Sequence, residues 1–250
     1  MSPNDNLMTF TKPDLSVVLL CYCSEDAASL YVKELKACLE ELNIDWEIIL
    51  VGNYIAGSGD QTPKIVRNIA SQDSRIKAIT REKGGMMGWD MKCGFEKASG
   101  KTIAVTDGDG QFPLADVGRT YKKLIDENLD MVQTYRIKRS DSLYRRILSA
   151  VYNWIFNIFF PGLSCHDVNS KPKIFKLNVL QKMDLLSDDW FIDAEIMILA
   201  RRVKLNFGEI PTQFSKLDSR TSFIKLGSIV EFIVNMILFR FREFRYLFSK

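Results

Sequence analysis

The sequence TIAVTDGDGQFP at residues 102–113 joins a short β-rich run to two carboxylates and a glycine-containing turn. The run at 102–106 predicts a buried strand, and the glycines around the acids allow the backbone to turn tightly at its end. Asp107 and Asp109 are therefore expected at the edge where α/β sheets bind ligands. Two oxygen donors one residue apart can hold a divalent cation that bridges a diphosphate. The alternative is an ordinary surface turn, in which Asp and Gly are common.

Strands and helices alternate on both sides of this stretch, which predicts an α/β fold with a parallel sheet covered by helices. Apolar residues recur at helical spacing between Ala28 and Leu42. Thr62 and Pro63 indicate a helix start, with Thr62 as the N-cap and Pro63 at the first position. The predicted strands are 16–22, 46–51, 76–80, 102–106 and 131–136, and the predicted helices are 28–42, 86–98, 114–127 and one that starts at residue 62.

The second half of the chain contains two long amphipathic segments. In the first, at 143–160, polar residues recur at every fourth position: Arg145, Ser149, Asn153 and Asn157. The second, at 222–239, runs into residues 240–250, where four basic residues and one acid interleave with aromatic ones. Helices of this kind lie in a bilayer interface, and a basic flank favours anionic headgroups. An oligomer interface or ordinary core helices are the alternative.

Composition limits the class of protein further. With 250 residues and 46% apolar content, the chain can bury the core of one domain, with or without an appendage. A net charge of +3 is too small to indicate nucleic-acid binding. The five cysteines show no paired CxxC spacing, which favours a reducing compartment and argues against a zinc site. No signal-peptide core is expected in residues 1–14, and no run of roughly 18 apolar residues predicts a membrane span.

The stretch at 107–113 is one of several motifs that occur, in the order of a known family, over roughly residues 15–223. They are 17–25 (VVLLCYCSE), 83–88 (KGGMMG) with Gly94 and 98–100 (ASG), 107–113 (DGDGQFP), 167–175 (DVNSKPKIF), 190–195 (WFIDAE), 209–211 (EIP) and 220–222 (RTS). This series resembles the GT-A-fold family 2 inverting glycosyltransferases, and especially their polyprenyl-phosphate sugar transferases, the dolichyl-phosphate mannosyltransferase-like branch. The resemblance implies a GT-A (Rossmann-like), mixed but mainly parallel sheet flanked by helices, with a C-terminal amphipathic helix.

The resemblance also implies a reaction. A hexose would pass with inversion from a nucleotide sugar, GDP-mannose or a UDP-hexose, to a polyprenyl phosphate, with Mg²⁺ or Mn²⁺ as cofactor. The protein would lie peripherally on the cytoplasmic face of a membrane and bind no nucleic acid, and its oligomeric state is left open. Residues 1–222 would form the glycosyltransferase domain, with an interface helix at 144–160, and residues 223–250 a membrane-associating tail.

The donor side of the implied site comes from the first half of the chain. Asp107, Asp109 and Gln111 would hold the metal, and Asp109 would be catalytic. Tyr22 would stack on the base and Glu25 would bind the ribose; the alternative is a core aromatic and a helix N-terminal acid. The full set implied for the nucleotide sugar is Tyr22, Glu25, Asn53, Lys83, Asp107 and Gly108.

The chain departs from the family pattern in two places. Where the family usually has an acidic pair after the second strand, this sequence has Gly52 and Asn53. Asn53 can hydrogen-bond a base edge or a ribose but cannot supply a charge. The first motif also lacks its usual Pro and Asn, having Cys21 and Cys23 instead. Both departures concern nucleotide recognition rather than the metal.

On the acceptor side, a lipid phosphate is already an anion, so the site must hold two anions together. Arginine suits this task because its planar fork binds phosphate oxygens in pairs. The implied acceptor-phosphate residues are Arg136, Arg145, Ser149, Asp167 and Lys173, with Arg145 also catalytic. Asp193 is the predicted acid at the reaction centre, and would act as general base if the acceptor were a hydroxyl. For Arg145 the alternative is a solvated or interfacial helix face.

Two other functions stay open at this point. One is a family 2 transferase acting on a glycan or another hydroxyl acceptor, for which Asp193 would be essential. The other is a catalytically silent nucleotide-sugar-binding subunit, suggested only by Gly52 and Asn53. His166, the one histidine, lies beside Asp167, but adjacent residues generally point apart, so no direct role in the chemistry is expected of it.

Overall fold

The computed structural model describes residues 12–139, 143–163, 165–215 and 226–248. Within these ranges the strands are β1 Leu15–Leu20, β2 Trp46–Val51, β3 Ile76–Ile79, β4 Thr102–Asp107, β5 Met131–Arg139, β6 Lys173–Lys176 and β7 Phe207–Phe214. The helices are α1 Ala27–Glu40, α2 Thr62–Ser71, α3 Met87–Lys97, α4 Ala115–Asp126, α5 Leu143–Phe159, α6 Leu177–Leu180, α7 Ile192–Arg202 and α8 Leu226–Phe248.

The seven strands form one sheet in the order β3-β2-β1-β4-β6-β5-β7. Strands β1 to β4 are parallel, β6 is antiparallel to both of its neighbours, and β5 is parallel to β7. The prediction of an α/β fold with a mixed, mainly parallel sheet is therefore confirmed. Because the chain moves outward from β1 in one direction and resumes at β4 on the other side, the ligand crevice is expected above β1 and β4.

Helices cover both faces of the sheet, and the sheet separates two apolar layers. Neighbouring side chains of a strand point to opposite faces. Val17 accordingly packs in the layer formed with α1, α2 and α4, whereas Val18 packs in the layer formed with α3, α5, α7 and α8. Strand β1 is buried along almost its whole length, which explains why its sequence is apolar without alternation.

All five predicted strands are present, but β6 and β7 were not predicted. Strand β6 has only four residues and a lysine at each end, so it lacks the pattern of a buried strand. Strand β7 contains Pro211 and lies at the edge of the sheet, where a missing backbone donor is tolerated. Together these two strands bring the second half of the chain to the ligand edge.

The start of α2 corrects one predicted detail, because Thr62 is the first helical residue rather than the N-cap. The carboxylate of Asp60 accepts hydrogen bonds from the Thr62 backbone N–H at 2.9 Å and from its hydroxyl at 2.6 Å. The Thr62 hydroxyl in turn accepts a bond from the backbone N–H of Glu25 at 2.9 Å. Thr62 therefore ties the loop after β1 to α2.

Helix α8 is continuous through the position where the predicted helix ends, and one of its faces belongs to the core. Phe232, Met236 and Phe239 are buried against the layer that contains α5 and α7. Glu243, only 5% exposed, accepts hydrogen bonds from Arg201 at 3.0 Å. The predicted domain boundary at residue 222 falls outside the described residues. Among those the structure describes, no helix is long and apolar enough to cross a bilayer.

Candidate active site

The turn after β4 is fastened to the end of β1. The backbone N–H of Gly108 donates to the carbonyl of Leu20 at 2.8 Å, and the Ser24 hydroxyl donates to the carbonyl of Gly108 at 3.0 Å. A Cβ atom on Gly108 would lie 3.0 Å from the Leu20 carbonyl oxygen. A side chain at this position would press against β1, so glycine allows the turn to lie this close to the strand.

Asp107 and Asp109 lie together at this turn, and the surrounding contacts hold the backbone that carries them. The Asp109 carboxylate accepts a bond from the Gln111 backbone N–H at 3.0 Å, and the Asp109 carbonyl accepts one from the Tyr31 hydroxyl at 2.8 Å. The side-chain amide of Gln111 donates to the carbonyl of Ser215 at 3.3 Å. Gln111 thus connects the turn to the segment after β7.

This donor set fits a magnesium-type cation. No cluster of three or more His, Cys, Asp or Glu side chains suited to a metal occurs among the described residues. Mg²⁺ does not need one, because it is commonly held by one or two carboxylates together with substrate phosphates and water. The side chain of Asp107 is 26% exposed at the sheet edge, so it is open to such a ligand.

A buried charge cluster links this turn to the second half of the chain. The ammonium of Lys171 lies 3.6 Å from Oδ1 of Asp107 and 2.9 Å from Oδ2 of Asp193. The ammonium of Lys173 lies 3.1 Å from Oδ1 of Asp193. Lys171, Lys173 and Asp193 are each at most 2% exposed. Three motifs that are far apart in the sequence therefore meet in one cluster.

The cluster makes Asp193 unusually acidic. Burial opposes its ionisation, but the charges of Lys171 and Lys173 outweigh burial and hold the pKa of Asp193 below its ordinary value. Burial likewise opposes the charge on Lys171, but Asp107 and Asp193 raise its pKa to about 12. Burial lowers the pKa of Lys173, and this outweighs the attraction of Asp193. An enclosed carboxylate of lowered pKa is a weak proton acceptor at neutral pH.

Lys173, predicted as an acceptor-phosphate ligand, is buried and bonded to the protein's own backbone. It has no exposed surface, and its ammonium donates to the carbonyls of Val168 at 2.8 Å and Ser170 at 2.6 Å. In this arrangement Lys173 supports the loop that precedes β6. Lys171, a residue of the same motif that could also line the acceptor site, is the lysine whose ammonium lies against the turn that carries Asp107.

Arg136 and Asp167, both predicted on the acceptor side, form a bidentate ion pair. The guanidinium Nε lies 2.6 Å from Oδ2 of Asp167 and a terminal nitrogen lies 2.8 Å from Oδ1. Such a fork-to-carboxylate pair restricts both side chains. The guanidinium also lies over the ring of Phe214 at 5.1 Å, so its orientation is held by β7 as well.

The polar face of α5 turns toward the segment that carries Asp167. The Asn153 side chain accepts a bond from the Val168 backbone N–H at 3.0 Å, and the Asn157 side chain donates to the Cys165 carbonyl at 3.1 Å. Ser149 is half-buried one turn earlier on the same helix. Arg145 also belongs to α5, but its side chain lies outside the described part of the structure, so its predicted role remains a prediction.

The donor-side residues gather at the ends of β1 and β2. Tyr22 is partly exposed, and the Lys83 ammonium lies over its ring at 4.2 Å. Burial and the neighbouring Cys23 raise the pKa of Tyr22 to about 12. Glu25 is exposed, in the left-handed backbone region at φ 43°. Asn53, in contrast, is fully buried, and both ends of its amide are hydrogen-bonded within the protein.

His166 and its neighbour Asp167 do have different partners, as expected of adjacent residues. Nδ1 of His166 lies 2.6 Å from a carboxylate oxygen of Glu209, and the imidazole stacks on Tyr135 with ring centroids 4.9 Å apart. The Glu209 carboxylate also accepts a bond from the Gln133 amide at 2.9 Å. The imidazole itself is exposed.

The comparisons with known proteins place the chain in a family. The family model described as glycosyl transferase family 2 matches residues 16–184. The chain belongs to glycosyl transferase family 2, and it is a glycosyltransferase. This agrees with the resemblance and disfavours a catalytically silent subunit.

Curated relatives within this family include polyprenyl-phosphate sugar transferases. The undecaprenyl-phosphate 4-deoxy-4-formamido-L-arabinose transferase of Salmonella paratyphi A is 26% identical over 228 residues, which cover 89% of this chain and 67% of that protein. The protein of the same name from Photorhabdus laumondii subsp. laumondii is 26% identical over 219 residues, which cover 86% and 65% of the two chains. The chain thus corresponds to about two thirds of these relatives' length.

Solved structures agree on the fold. The glucosyl-3-phosphoglycerate synthase of Mycobacterium tuberculosis, in complex with Mn²⁺, UDP and phosphoglyceric acid, superposes with a TM-score of 0.69 over 91% of this chain and 78% of that one, at 16% identity. A second crystal structure of the same enzyme superposes with a TM-score of 0.67 at 17% identity. These similarities establish a GT-A-like sheet with flanking helices.

Proposed function

We propose that this glycosyltransferase moves a hexose with inversion from a nucleotide sugar, GDP-mannose or a UDP-hexose, to a polyprenyl phosphate. An oxygen of the acceptor phosphate would attack the anomeric carbon. The bond from that carbon to the donor diphosphate would break, and the nucleoside diphosphate would leave with the electron pair.

The state of Asp193 carries this proposal. The carboxylate expected to deprotonate a hydroxyl acceptor is 1% exposed, paired with two lysines and of lowered pKa. An acceptor that is already ionised needs no general base. We therefore assign Asp193 a positioning role: it holds Lys171 against Asp107. The relatives named undecaprenyl-phosphate transferases support the same class of acceptor.

On the donor side, Asp107 and Asp109 would hold Mg²⁺ or Mn²⁺ together with the diphosphate. The bound metal would neutralise negative charge on the departing diphosphate. Lys171 contributes a fixed positive charge next to Asp107, and burial makes this charge effective because little water screens it. Arg136, oriented by Asp167, offers a second positive charge on the acceptor side.

A hydroxyl acceptor is the alternative, and one observation favours it. The exposed imidazole of His166 is oriented by Glu209 at 2.6 Å, an arrangement that can accept a proton. The two functions differ in their dependence on this residue. His166→Gln should leave transfer to a lipid phosphate nearly unchanged, whereas a hydroxyl-directed enzyme that uses His166 as its base would lose about a hundredfold or more in rate.

Transfer itself can be measured by incorporation of radiolabelled sugar into an organic-extractable lipid. We expect label from GDP-mannose, UDP-glucose or UDP-N-acetylglucosamine in undecaprenyl or dolichyl phosphate with Mn²⁺, and none with EDTA, because the metal-binding turn is required. Free undecaprenol, which lacks the phosphate, is the matched control. If no lipid is labelled by any donor while nucleotide still binds, the polyprenyl-phosphate assignment is wrong.

We also propose that α5 and α8 place the protein peripherally on the cytoplasmic face of a membrane. Both helices expose apolar stripes, although each buries another face in the core. On α5 these residues are Ile147, Val151, Trp154 and Ile158, and on α8 they are Ile233, Val234, Ile237, Leu238, Phe241 and Phe244. Tyr152 and Phe232 join the helices, with ring centroids 5.2 Å apart. Such stripes match a helix lying in the headgroup region.

The double variant Trp154→Glu/Phe241→Glu should reduce binding to liposomes that contain anionic lipid at least tenfold, as measured by flotation. The reason is that two large exposed apolar side chains, at 66% and 64% exposure, are replaced by charges that anionic headgroups repel. Leu30→Glu/Ile125→Glu is the matched control, because these residues are 55% and 50% exposed on the opposite side of the sheet. Equal flotation of both double variants would contradict the assignment of this surface.

A further inference from the structure

Asp90 places a carboxylate beside the end of β2, where the chain itself has Gly52 and Asn53. It belongs to the first turn of α3 and is 4% exposed. Its Oδ1 accepts a hydrogen bond from the Asn53 amide at 2.8 Å, and its Oδ2 is ion-paired with Lys83. A carboxylate from a helix thus lies against the end of β2, where Gly52 and Asn53 replace the acidic pair usual in the family.

Asn53 itself is not available to a ligand in this arrangement. Its amide nitrogen is bonded to Asp90, its amide oxygen accepts the backbone N–H of Arg81 at 2.8 Å, and the residue has no exposed surface. Asn53 therefore orients Asp90. The bonds to Asn53 and Lys83 use two of the roughly four acceptor positions of the Asp90 carboxylate, so further hydrogen bonds can be accepted.

We propose that Asp90, held by Asn53 and Lys83, is the residue that reads the nucleobase of the donor; this rests on the proposed use of a nucleotide sugar. The carboxylate would accept the ring N–H of uracil or guanine, and the ammonium of Lys83 would donate to the adjacent carbonyl oxygen. Cytosine and adenine carry a ring nitrogen acceptor at the corresponding position, so the same carboxylate repels them. The pair therefore selects UDP- and GDP-sugars over CDP- and ADP-sugars.

The position of the pair in the sheet supports this role. Strand β2 lies two strands from β4, or roughly 10 Å away, with β1 and Tyr22 between them. A nucleotide whose diphosphate is held at the end of β4 would extend its nucleoside over β1 toward β2. Its base would then lie against Tyr22, which already contacts Lys83. Burial also raises the pKa of Asp90, against the effects of Lys83 and Asn53, which marks a carboxylate held where water has little access.

The variant Asp90→Asn tests the proposal by a ratio of affinities. Dissociation constants for UDP, CDP, GDP and ADP would be measured by calorimetry with Mn²⁺ on the full chain. We expect wild type to prefer UDP to CDP, or GDP to ADP, and Asp90→Asn to reduce that preference at least about tenfold, because an amide can also donate to a ring acceptor. Glu96→Gln is the control: it removes an exposed carboxylate from the same helix. It should leave the ratio unchanged.

A second measurement needs no variant. UDP methylated at N3, or GDP methylated at N1, lacks the ring N–H and should bind wild-type protein at least about tenfold more weakly than the parent nucleotide. The same preference in Asp90→Asn as in wild type, or equal binding of the methylated and parent nucleotides, would overturn the role of Asp90. Failure of wild type to bind any of these nucleotides would instead overturn the proposed function.

Discussion

Asp109→Asn is expected to lower metal-dependent sugar transfer by about a hundredfold to a thousandfold, the range seen when one group that stabilises the developing charge is lost. The amide keeps an oxygen that can accept the backbone N–H of Gln111, so the turn should survive. It loses the negative charge that a hard divalent cation prefers. Transfer would be measured over a range of Mn²⁺ concentrations, with Mn²⁺ binding followed separately by electron paramagnetic resonance in the presence of nucleotide.

Asp126→Asn is the control for Asp109→Asn. It removes an exposed carboxylate from the end of α4, away from the sheet edge. We expect its transfer rate and Mn²⁺ affinity to match those of wild type. If Asp109→Asn showed the same rate and the same Mn²⁺ affinity as wild type, the assignment of the turn as a metal site would be withdrawn.

Asp193→Ala is expected to destabilise the fold by about 3–5 kcal/mol, because it leaves the ammonium groups of Lys171 and Lys173 buried without their counter-charge. The free energy of unfolding would be measured by urea denaturation at neutral pH. Glu127→Gln is the control, since its ion pair with Lys123 is exposed and worth at most about 1 kcal/mol. A loss equal to that of the control would mean that the cluster is not what holds this part of the fold.

The same cluster predicts a pH dependence. The pKa of Asp193 is lower in the folded state than its ordinary value of 3.8, so ionisation of Asp193 contributes stability above that value. This contribution is lost as the pH falls through the lowered pKa. Wild-type stability should therefore fall more steeply below about pH 4 than that of Asp193→Ala, which no longer has the group to protonate. Parallel acid profiles would argue against the cluster.

The sheet and the turn that carries Asp107 and Asp109 could be predicted from sequence because their signals are local. Asp107 and Asp109 are separated only by Gly108, and the strands before them are continuous apolar runs. The placement of Asp90 against Asn53 and Lys83 could not be predicted in this way. An acid in the first turn of a helix has an ordinary explanation in the helix dipole, and nothing in the sequence shows that α3 brings it to Asn53.

Lys171 and Lys173 show a similar limit. The sequence places two lysines in one motif but does not indicate that both are buried, since their burial depends on the short strand β6 and its antiparallel position between β4 and β5. Strand β6 has Lys173 and Lys176 at its ends, a pattern that is typical of a surface segment. Lys171 and Lys173 are buried together with their counter-charge Asp193, which belongs to α7 and lies some twenty residues further along the chain.

Helix α7 connects the buried charge cluster to helix α8. Its first turn carries Asp193, and its last turn carries Arg201, which donates a hydrogen bond to Glu243 of α8. The two ends lie about 12 Å apart at 1.5 Å per residue. If α8 rests on a bilayer, the length of α7 sets the height of the candidate active site above the lipid. A polyprenyl phosphate would then have to extend from the membrane by a distance that the protein defines. The choice of acceptor would depend on this distance as well as on the charge of the acceptor.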